Sequence, residues 1–402
     1  MDMQVPARSG REASVLEHRR LCKIASSPHA YVRGTTAHFY ELIAGMPKDA
    51  LPEGPPVWIC GDAHLGNLGA VAGPDGRIDI QIRDLDQTVV SNPAFDLVRL
   101  ALSLVTAALN ATLPGIVTAR MMDAMAVGYA DGIADPEDAE RDIAESDIVA
   151  TTRRRALGRR WRHLSRERLK GKVGRLPRGD RFFDLDDDEQ EAFTALSRDP
   201  EVHRLVLALG GAEAGGKVRL LDAAYWIKGC SSLGRLRYAG LVAIGGGARP
   251  HLALLDVKEA VPHLAPAAPR ADMPDDHARR VLAGARALSP NLGQRMVAAD
   301  FRGTPVTVRE LMPQDLKIDA EQFSRGEAVR VSGHLAAILG RAHGRQMTEA
   351  DRRAWSVTVR APGPGPDAPG WLWSVVTALM GAHQRGYLEH CRRIAQEDLA
   401  AA

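Results

Sequence analysis

Two short segments carry the side-chain types that phosphoryl transfer requires. Gly61-Asp62-Ala63-His64-Leu65-Gly66-Asn67 sets an Asp, a His and an Asn close together, and Arg83-Asp84-Leu85-Asp86 follows with two more carboxylates. Moving a phosphoryl group needs a carboxylate that orients the attacking hydroxyl or takes its proton, together with oxygen ligands for magnesium. Asp62 is the candidate base, and Asn67 and Asp84 are the candidate metal ligands. Asp86 is the alternative to Asp84, because residues two apart on a strand share a face. His64 is expected to brace the loop by hydrogen bonds rather than to react. The plain rival is a hydrogen-bonded turn, for which Asp, Asn and Gly are common residues. A metallophosphatase is a second rival, but it needs an Asp-x-His ahead of these residues, and none precedes residue 61.

The flanking residues supply elements that could hold such a site. Val57-Trp58-Ile59-Cys60 is short, apolar and β-prone, Gly73-Pro74-Asp75-Gly76 is a turn, and Arg77 to Ile82 alternates with period two. A strand, a polar loop and a second strand then carry carboxylates at their ends. Phe95-Asp96-Leu97 opens an apolar helix running to Ala108. The segment resembles the catalytic part of aminoglycoside phosphotransferases and related small-molecule kinases, which run Gly-Asp-x-His-x-x-Asn and then an Asp-bearing strand end. That resemblance implies ATP and magnesium as cofactors and a hydroxyl of a small molecule as acceptor.

The second half of the chain carries a matching set. Ala223 to Ile227 and Tyr238 to Ile244 read as strands around Gly229-Cys230-Ser231-Ser232-Leu233-Gly234, and Leu252 to Lys258 reads as a third strand. Small residues at a hairpin tip let backbone amides approach phosphates, and a Lys leaving the third strand can pair with them. The tip is no Walker loop, since no Lys-Ser or Lys-Thr follows Gly234, and no dinucleotide fingerprint, since a strand follows it. With Val257-Lys258-Glu259 it resembles the glycine loop and lysine of a kinase small lobe. The nucleotide-binding candidates are Gly229, Ser231, Ser232, Gly234, Lys258 and Glu259, with Glu310 and Leu311 at the hinge-like end of a strand over residues 304–311. The intervening helix, residues 274–288, lacks the Glu that pairs with the lysine in a kinase, so either Glu259 substitutes or the pair is absent. A helix over residues 331–346 comes next.

A kinase presents glycine loop, lysine, helix and hinge before its catalytic loop, whereas this chain presents the catalytic half first. Read as a ring, the order is preserved. The expected fold class is therefore α+β, a protein-kinase-like two-lobed fold in circularly permuted order. Residues 1–216 would give the catalytic segment and a helical region, 217–315 a β-rich nucleotide-binding lobe, and 316–402 helices returning to the first lobe. Permutation is tolerated where new ends lie at the surface and old ends can be bridged.

Over most of its length the chain also resembles one bacterial family, the domain-of-unknown-function family numbered 2252. The resemblance rests on Ser27-Pro28-His29-Ala30-Tyr31-Val32-Arg33-Gly34, Cys60 to Asn67, Arg83 to Thr88, Gly229 to Gly234, Val257 to Ala260, Val308 to Leu311 and Ala342 to Arg345. It implies an architecture and names no substrate. Arg33 lies on the connection between expected helices at 13–25 and 35–46, where it could contact a phosphate or bridge to a catalytic carboxylate.

With 402 residues, 45 % hydrophobic and 25 % charged, the chain can bury a sizeable core, and a net charge of +2 gives no overall pull toward nucleic acid. The arginine-rich stretch from Arg153 to Arg181 reads as one amphipathic helix with a solvated basic face rather than an RNA surface, because it lacks interleaved aromatics. Cys22, Cys60, Cys230 and Cys391 lie far apart, which favours free thiols over disulfides or zinc. No signal-peptide order and no long apolar run is present, so a cytoplasmic protein without membrane contact is expected. The other functional readings are a nucleotide-binding regulator without turnover, a protein kinase and an AMP transferase. Residues 362–369 read as a loop.

Overall fold

The computed structural model describes residues 13–137, 147–169, 174–179, 181–209, 216–228, 233–245, 250–318, 324–362 and 370–401. Three helices come first, α1 (Ala13–Ile24), α2 (Pro28–Gly34) and α3 (Thr36–Ala44). The segment expected to carry the site follows as β1 (Val57–Ile59), a 3-10 turn over Leu65–Asn67, β2 (Leu68–Ala72), β3 (Ile78–Ile82) and β4 (Val89–Ser91). Next come α4 (Ala94–Asn110), α5 (Gly115–Ala134), α6 (Asp147–Leu157) and α7 (Trp161–Leu169). The short strand β5 (Phe182–Phe183) precedes α8 (Asp187–Arg198) and α9 (Pro200–Leu209). The sheet-rich part is β6 (Val218–Trp226), β7 (Arg237–Ile244), β8 (His251–Glu259), α10 (His277–Leu288), α11 (Pro290–Gly293), β9 (Met296–Phe301), β10 (Thr304–Glu310) and β11 (Leu316–Lys317). The chain closes with α12 (Arg325–Gly344), α13 (Glu349–Val359) and α14 (Trp371–Ala401). The class is α+β.

Six strands form one antiparallel sheet in the order β5-β6-β7-β8-β10-β9. Its side chains alternate between two apolar layers, as the pleat demands. Ala223 and Tyr225 pack with Phe193 and Val202 from α8 and α9, while Ala224 and Trp226 pack with Leu164 and Leu169 of α7. Both faces are covered, so every residue of β7 is buried. The helix α10 lies between β8 and β9 in sequence, and β10 then returns beside β8, setting Thr307 opposite Lys258 and Arg309 opposite Asp256.

A second sheet, β11-β2-β3, ties residue 316 to residue 70, so the segment after β10 runs straight into the first half of the chain. The long helices form the largest core. In α4, Leu97, Leu100 and Leu104 are wholly buried, each contributing about 1.5–3 kcal/mol by leaving water. The helices α5 and α12 pack so closely that a β-carbon on Gly128 or Gly340 would collide with backbone oxygen of the other helix, at Gly333 or Tyr129. This approach carries the C-terminal end of α12, with His343, to the base of the loop over residues 60–67.

Three sequence readings change. Pro28 starts a helix rather than breaking one: Ser27 caps it by accepting from the Ala30 amide, and a proline fits the first helical position, where no intrahelical donor is needed. The arginine tract is not one helix, because α6 ends before Gly158 and α7 starts at Trp161. Between the two expected strands, where only a polar loop and a turn were read, the structure adds the buried strand β2. Residues 363–369, within the stretch read as a loop, lie outside the described residues. Among the described residues, no helix is long and apolar enough to cross a membrane.

Candidate functional site

The loop over residues 60–67 is held from below by α4 and α12. Asp96, in the first turn of α4 and wholly buried, accepts from the amides of Cys60 (2.6 Å) and Gly61 (2.9 Å) through its two oxygens. His343 reaches the same carboxylate, its Nε2 lying 3.3 Å from Oδ2, while the Tyr129 hydroxyl lies 2.7 Å from its Nδ1. A carboxylate can only accept, so Nε2 carries the proton toward Asp96 and Tyr129 donates to Nδ1. The Tyr40 hydroxyl donates to the Gly61 carbonyl at 2.7 Å. Gly61 has φ +72°, and a side chain there would collide with the Gln87 carbonyl, so this turn requires glycine.

Asp62 is thereby presented with one oxygen committed. The wholly buried Arg99, one turn after Asp96 on α4, donates from Nε to Asp62 Oδ1 at 2.9 Å and from Nη2 to the Val32 carbonyl at 2.7 Å. Burial raises the Asp62 pKa, and the Arg99 charge and hydrogen bond oppose the rise. Oδ2 lies 3.8 Å from His64 Nε2. His64 does not brace the loop as expected: its Nδ1 is buried without a partner, and burial beside Arg33 and Arg99 drives its pKa down, keeping it neutral. The bracing comes from Asn67, whose amide nitrogen donates to the carbonyls of Asp84 (2.8 Å) and Asp62 (3.3 Å).

The two halves of the chain meet at Lys258. From β8, the third strand of the meander, its ammonium lies 3.1 Å from Asp84 Oδ1 and 3.3 Å from Oδ2, and it also pairs with Asp86. Desolvation opposes ionisation of Asp84, but Lys258, Arg309 and Arg237 outweigh it and hold that carboxyl far below the usual range. Asp86 moves the other way, raised by burial and by the charge of Asp84. Asp84 keeps 46 % of its side-chain surface exposed and lines a cavity, whereas Asp86 keeps 15 % and does not line it. The two carboxylates, equivalent in the sequence, are therefore distinct in the fold.

Glu259 does not pair with Lys258. Neighbours on a strand point to opposite faces, and Glu259 accepts from the Leu236 amide at 2.8 Å, pinning the start of β7. The helix α10 offers Arg280 where a Glu was sought. Buried to 2 % exposure, Arg280 donates to the carbonyls of Asp86 (3.1 Å), Val261 (2.6 Å) and Thr88, so it grips the backbone of the 84–88 loop.

A cavity of about 700 Å³ opens beside Asp84, within the size range of small-molecule sites. It gathers Arg33, His64, Asn67, Asp84 and Leu311. Of the remaining candidates, Asp62 sits beside His64, and Lys258 and Asp86 join through Asp84. Glu310 is buried at the end of β10; desolvation raises its pKa to about 7, although Arg295 opposes the shift. The Leu311 amide donates to the Leu254 carbonyl at 2.8 Å and so is already used within the protein. Gly234, at φ +85°, lies in the turn before β7, while Gly229, Ser231 and Ser232 lie outside the described residues.

Sequence reasoning missed Arg99, His343, Arg280, Arg309, Arg83 and Lys317. Arg99 had a visible signal, a lone cation three residues after Asp96 inside an apolar helical run. His343, Arg83 and Arg309 lay within segments that carry the family resemblance but suggested no role, and Arg280 had no signal, because its partners are remote in sequence.

The fold and site define an α+β protein in which a lysine from one sheet closes on carboxylates displayed by a distant loop. The chain matches the family described as an uncharacterized protein conserved in bacteria, domain-of-unknown-function family 2252, over residues 13–393, and it belongs to that family. Neither a curated protein nor a solved structure matches it.

Proposed function

We propose that this protein is a kinase-like phosphotransferase in circularly permuted order, transferring phosphate from ATP to a hydroxyl of a small molecule. One observation carries the reading: Lys258 and Asp84, 174 residues apart, form one ion pair at the edge of a cavity that also contains Asn67. Support also comes from element order. A β-hairpin, a lysine on the third strand, a helix and a returning strand succeed one another over residues 217–315, and β11 then pairs with β2 of the catalytic half. In this reading residues 217–315 form the nucleotide lobe, and residues 1–216 and 316–402 form the other.

Among the described residues no three His, Cys, Asp or Glu side chains converge on a metal position. Asp84 and the Asn67 amide oxygen nevertheless supply two oxygen ligands, which suits magnesium, an ion that keeps several waters and takes phosphate oxygens. When bound, the ion neutralises charge on the phosphates. Lys258 pairs with the phosphates, and Asp62, its Oδ1 fixed by Arg99, offers Oδ2 to orient the acceptor hydroxyl. Arg280 and Asn67 keep the Asp84 backbone in register with Asp62.

A second reading, a nucleotide-binding regulator without turnover, is favoured by the contact of Lys258 with both Asp84 and Asp86. Calorimetric titration of ATP with and without magnesium, on wild type, Asp84→Ala and Lys258→Ala, tests the shared claim. Magnesium-dependent binding that both variants lose is expected. Wild type that fails to bind ATP removes both readings, and binding without turnover on any acceptor leaves the regulator.

A further inference from the structure

The cavity beside Asp84 is strongly cationic. Nine lysine or arginine side chains line it against three carboxylates, and six of the cations form two groups that differ in how they are matched. Those on the six-stranded sheet and at its edge share the buried Asp256: Arg237 donates to it at 2.8 and 2.5 Å, with Arg309 at 3.4 Å and Lys228 at 3.8 Å. The second group flanks the catalytic loop. Arg33 of α2 lies against Gly66, its guanidinium carbon standing 3.0 Å from where a β-carbon would be. Arg83 follows β3, and Lys317 lies on β11, whose partner β2 carries Gly69.

This second group has no carboxylate partner. Among the described residues no Asp or Glu lies within ion-pair distance of Arg33, Arg83 or Lys317, and Arg83 finds only the Asp315 carbonyl, at 3.1 Å. The Nε atoms of Arg33 and Arg83 are buried with no hydrogen-bond partner, a condition that is unfavourable for a charged group. Asp84 and Asp315 oppose this charge only from a distance, each already paired with another cation, Lys258 or Arg295; the three cations repel one another, and an anion within reach of all three offsets that repulsion. The position decides which anion. Lys258, which pairs with Asp84 and Asp86 and does not line the cavity, is the cation assigned to the nucleotide, whereas Arg33 lies against Gly66 of the loop that presents Asp62.

We infer that the acceptor carries an anionic group of its own, a phosphate, held by Arg33, Arg83 and Lys317 while its hydroxyl faces Asp62. The inference rests on the phosphotransferase reading and narrows it. Guanidinium groups match the oxygens of a phosphate in paired fashion, and a lysine adds a point charge. It also separates this protein from the aminoglycoside phosphotransferases it resembles, because a polycationic acceptor would be repelled by this wall. Lys317 adds a pH dependence: desolvation, then the charges of Arg33 and Arg83, bring its pKa down to about 8, so the wall weakens as pH rises above that value.

The test is calorimetric titration of the full chain with ribose 5-phosphate, ribose, glycerate and an aminoglycoside, with and without a saturating non-hydrolysable ATP analogue and magnesium. Ribose 5-phosphate is expected to bind at least about tenfold more tightly than ribose, and to lose at least about tenfold on Arg33→Gln or Lys317→Gln. Its binding is expected to persist with the nucleotide analogue present, and the aminoglycoside is expected not to bind. Displacement of ribose 5-phosphate by the analogue would assign these cations to the nucleotide and overturn the inference while sparing the kinase reading. Glycerate binding as tightly as the sugar phosphate would overturn the choice of phosphate. Sugar phosphate binding without any ATP binding would remove the phosphotransferase reading and the acceptor assignment together.

Discussion

The loop that presents Asp62 and the wall that carries Arg33, Arg83 and Lys317 solve opposite problems with the same kind of residue. Below Asp62, carboxylate and cation are paired inside the protein: Asp96 accepts from two backbone amides and faces His343, and Arg99 donates to Asp62, with only its Nη1 left unpartnered. Along the wall, charge is left for something else to match, with the Nε atoms of Arg33 and Arg83 unpartnered. Charge satisfied internally fixes position, because removing one partner strands the other in low dielectric. Charge left unsatisfied stores affinity, because a ligand that satisfies it relieves a standing cost. The two regions should therefore respond oppositely to mutation.

The largest effect is expected at the clamp. Asp96→Ala strands the Cys60 and Gly61 amides and is expected to lower unfolding stability by about 2–5 kcal/mol in urea titration. A loss below about 1 kcal/mol would mean that Asp96 does not hold the loop. Arg99→Met is expected to cost somewhat less, about 2–4 kcal/mol, by leaving Asp62 without its cation. Its cost carries a pH signature. Burial already raises the Asp62 pKa, and without Arg99 it rises further. A group whose folded pKa is raised loses its contribution as pH climbs through that value, so the Arg99→Met deficit should be larger at pH 8 than at pH 5. An equal deficit at both values would place Arg99's role outside the Asp62 pair. The smallest effect is expected at the wall, where Arg33→Gln should stay within about 0.5 kcal/mol of wild type or gain slightly, since it removes a charge without a carboxylate partner. A loss comparable to Arg99→Met would erase the contrast.

The local parts of this arrangement were legible in the sequence, and the remote ones were not. The turn from Gly61 to Asn67, the strands at β1 and β3 and the helix beginning near Asp96 follow from residue type and period. Lys258 could be named from its place after a glycine-rich hairpin. Its partners could not, because Asp84 and Asp86 differ by accessibility that only the packing of β8 and α10 creates. Of the two alternatives left open for Glu259, pairing with Lys258 or no pair, strand alternation decides for the second by turning it toward Leu236. His64 was taken as a brace because a histidine between Asp and Asn suggests one; the fold instead buries it among Arg33, Arg99 and Asp62, where no donor or acceptor reaches Nδ1. The arginine tract was read as solvated, yet Arg159 and Arg168 line the cavity because the break near Gly158 lets α7 turn under the large sheet.

The central claim is that the Lys258–Asp84 pair is the meeting point of nucleotide and metal. A crystal structure of the complex with magnesium and a non-hydrolysable ATP analogue tests it most directly. The expected result is the ion on Asp84 and Asn67 with Lys258 moved onto the phosphates. Nucleotide bound elsewhere, with Lys258 still paired to Asp84 and Asp86, would contradict it.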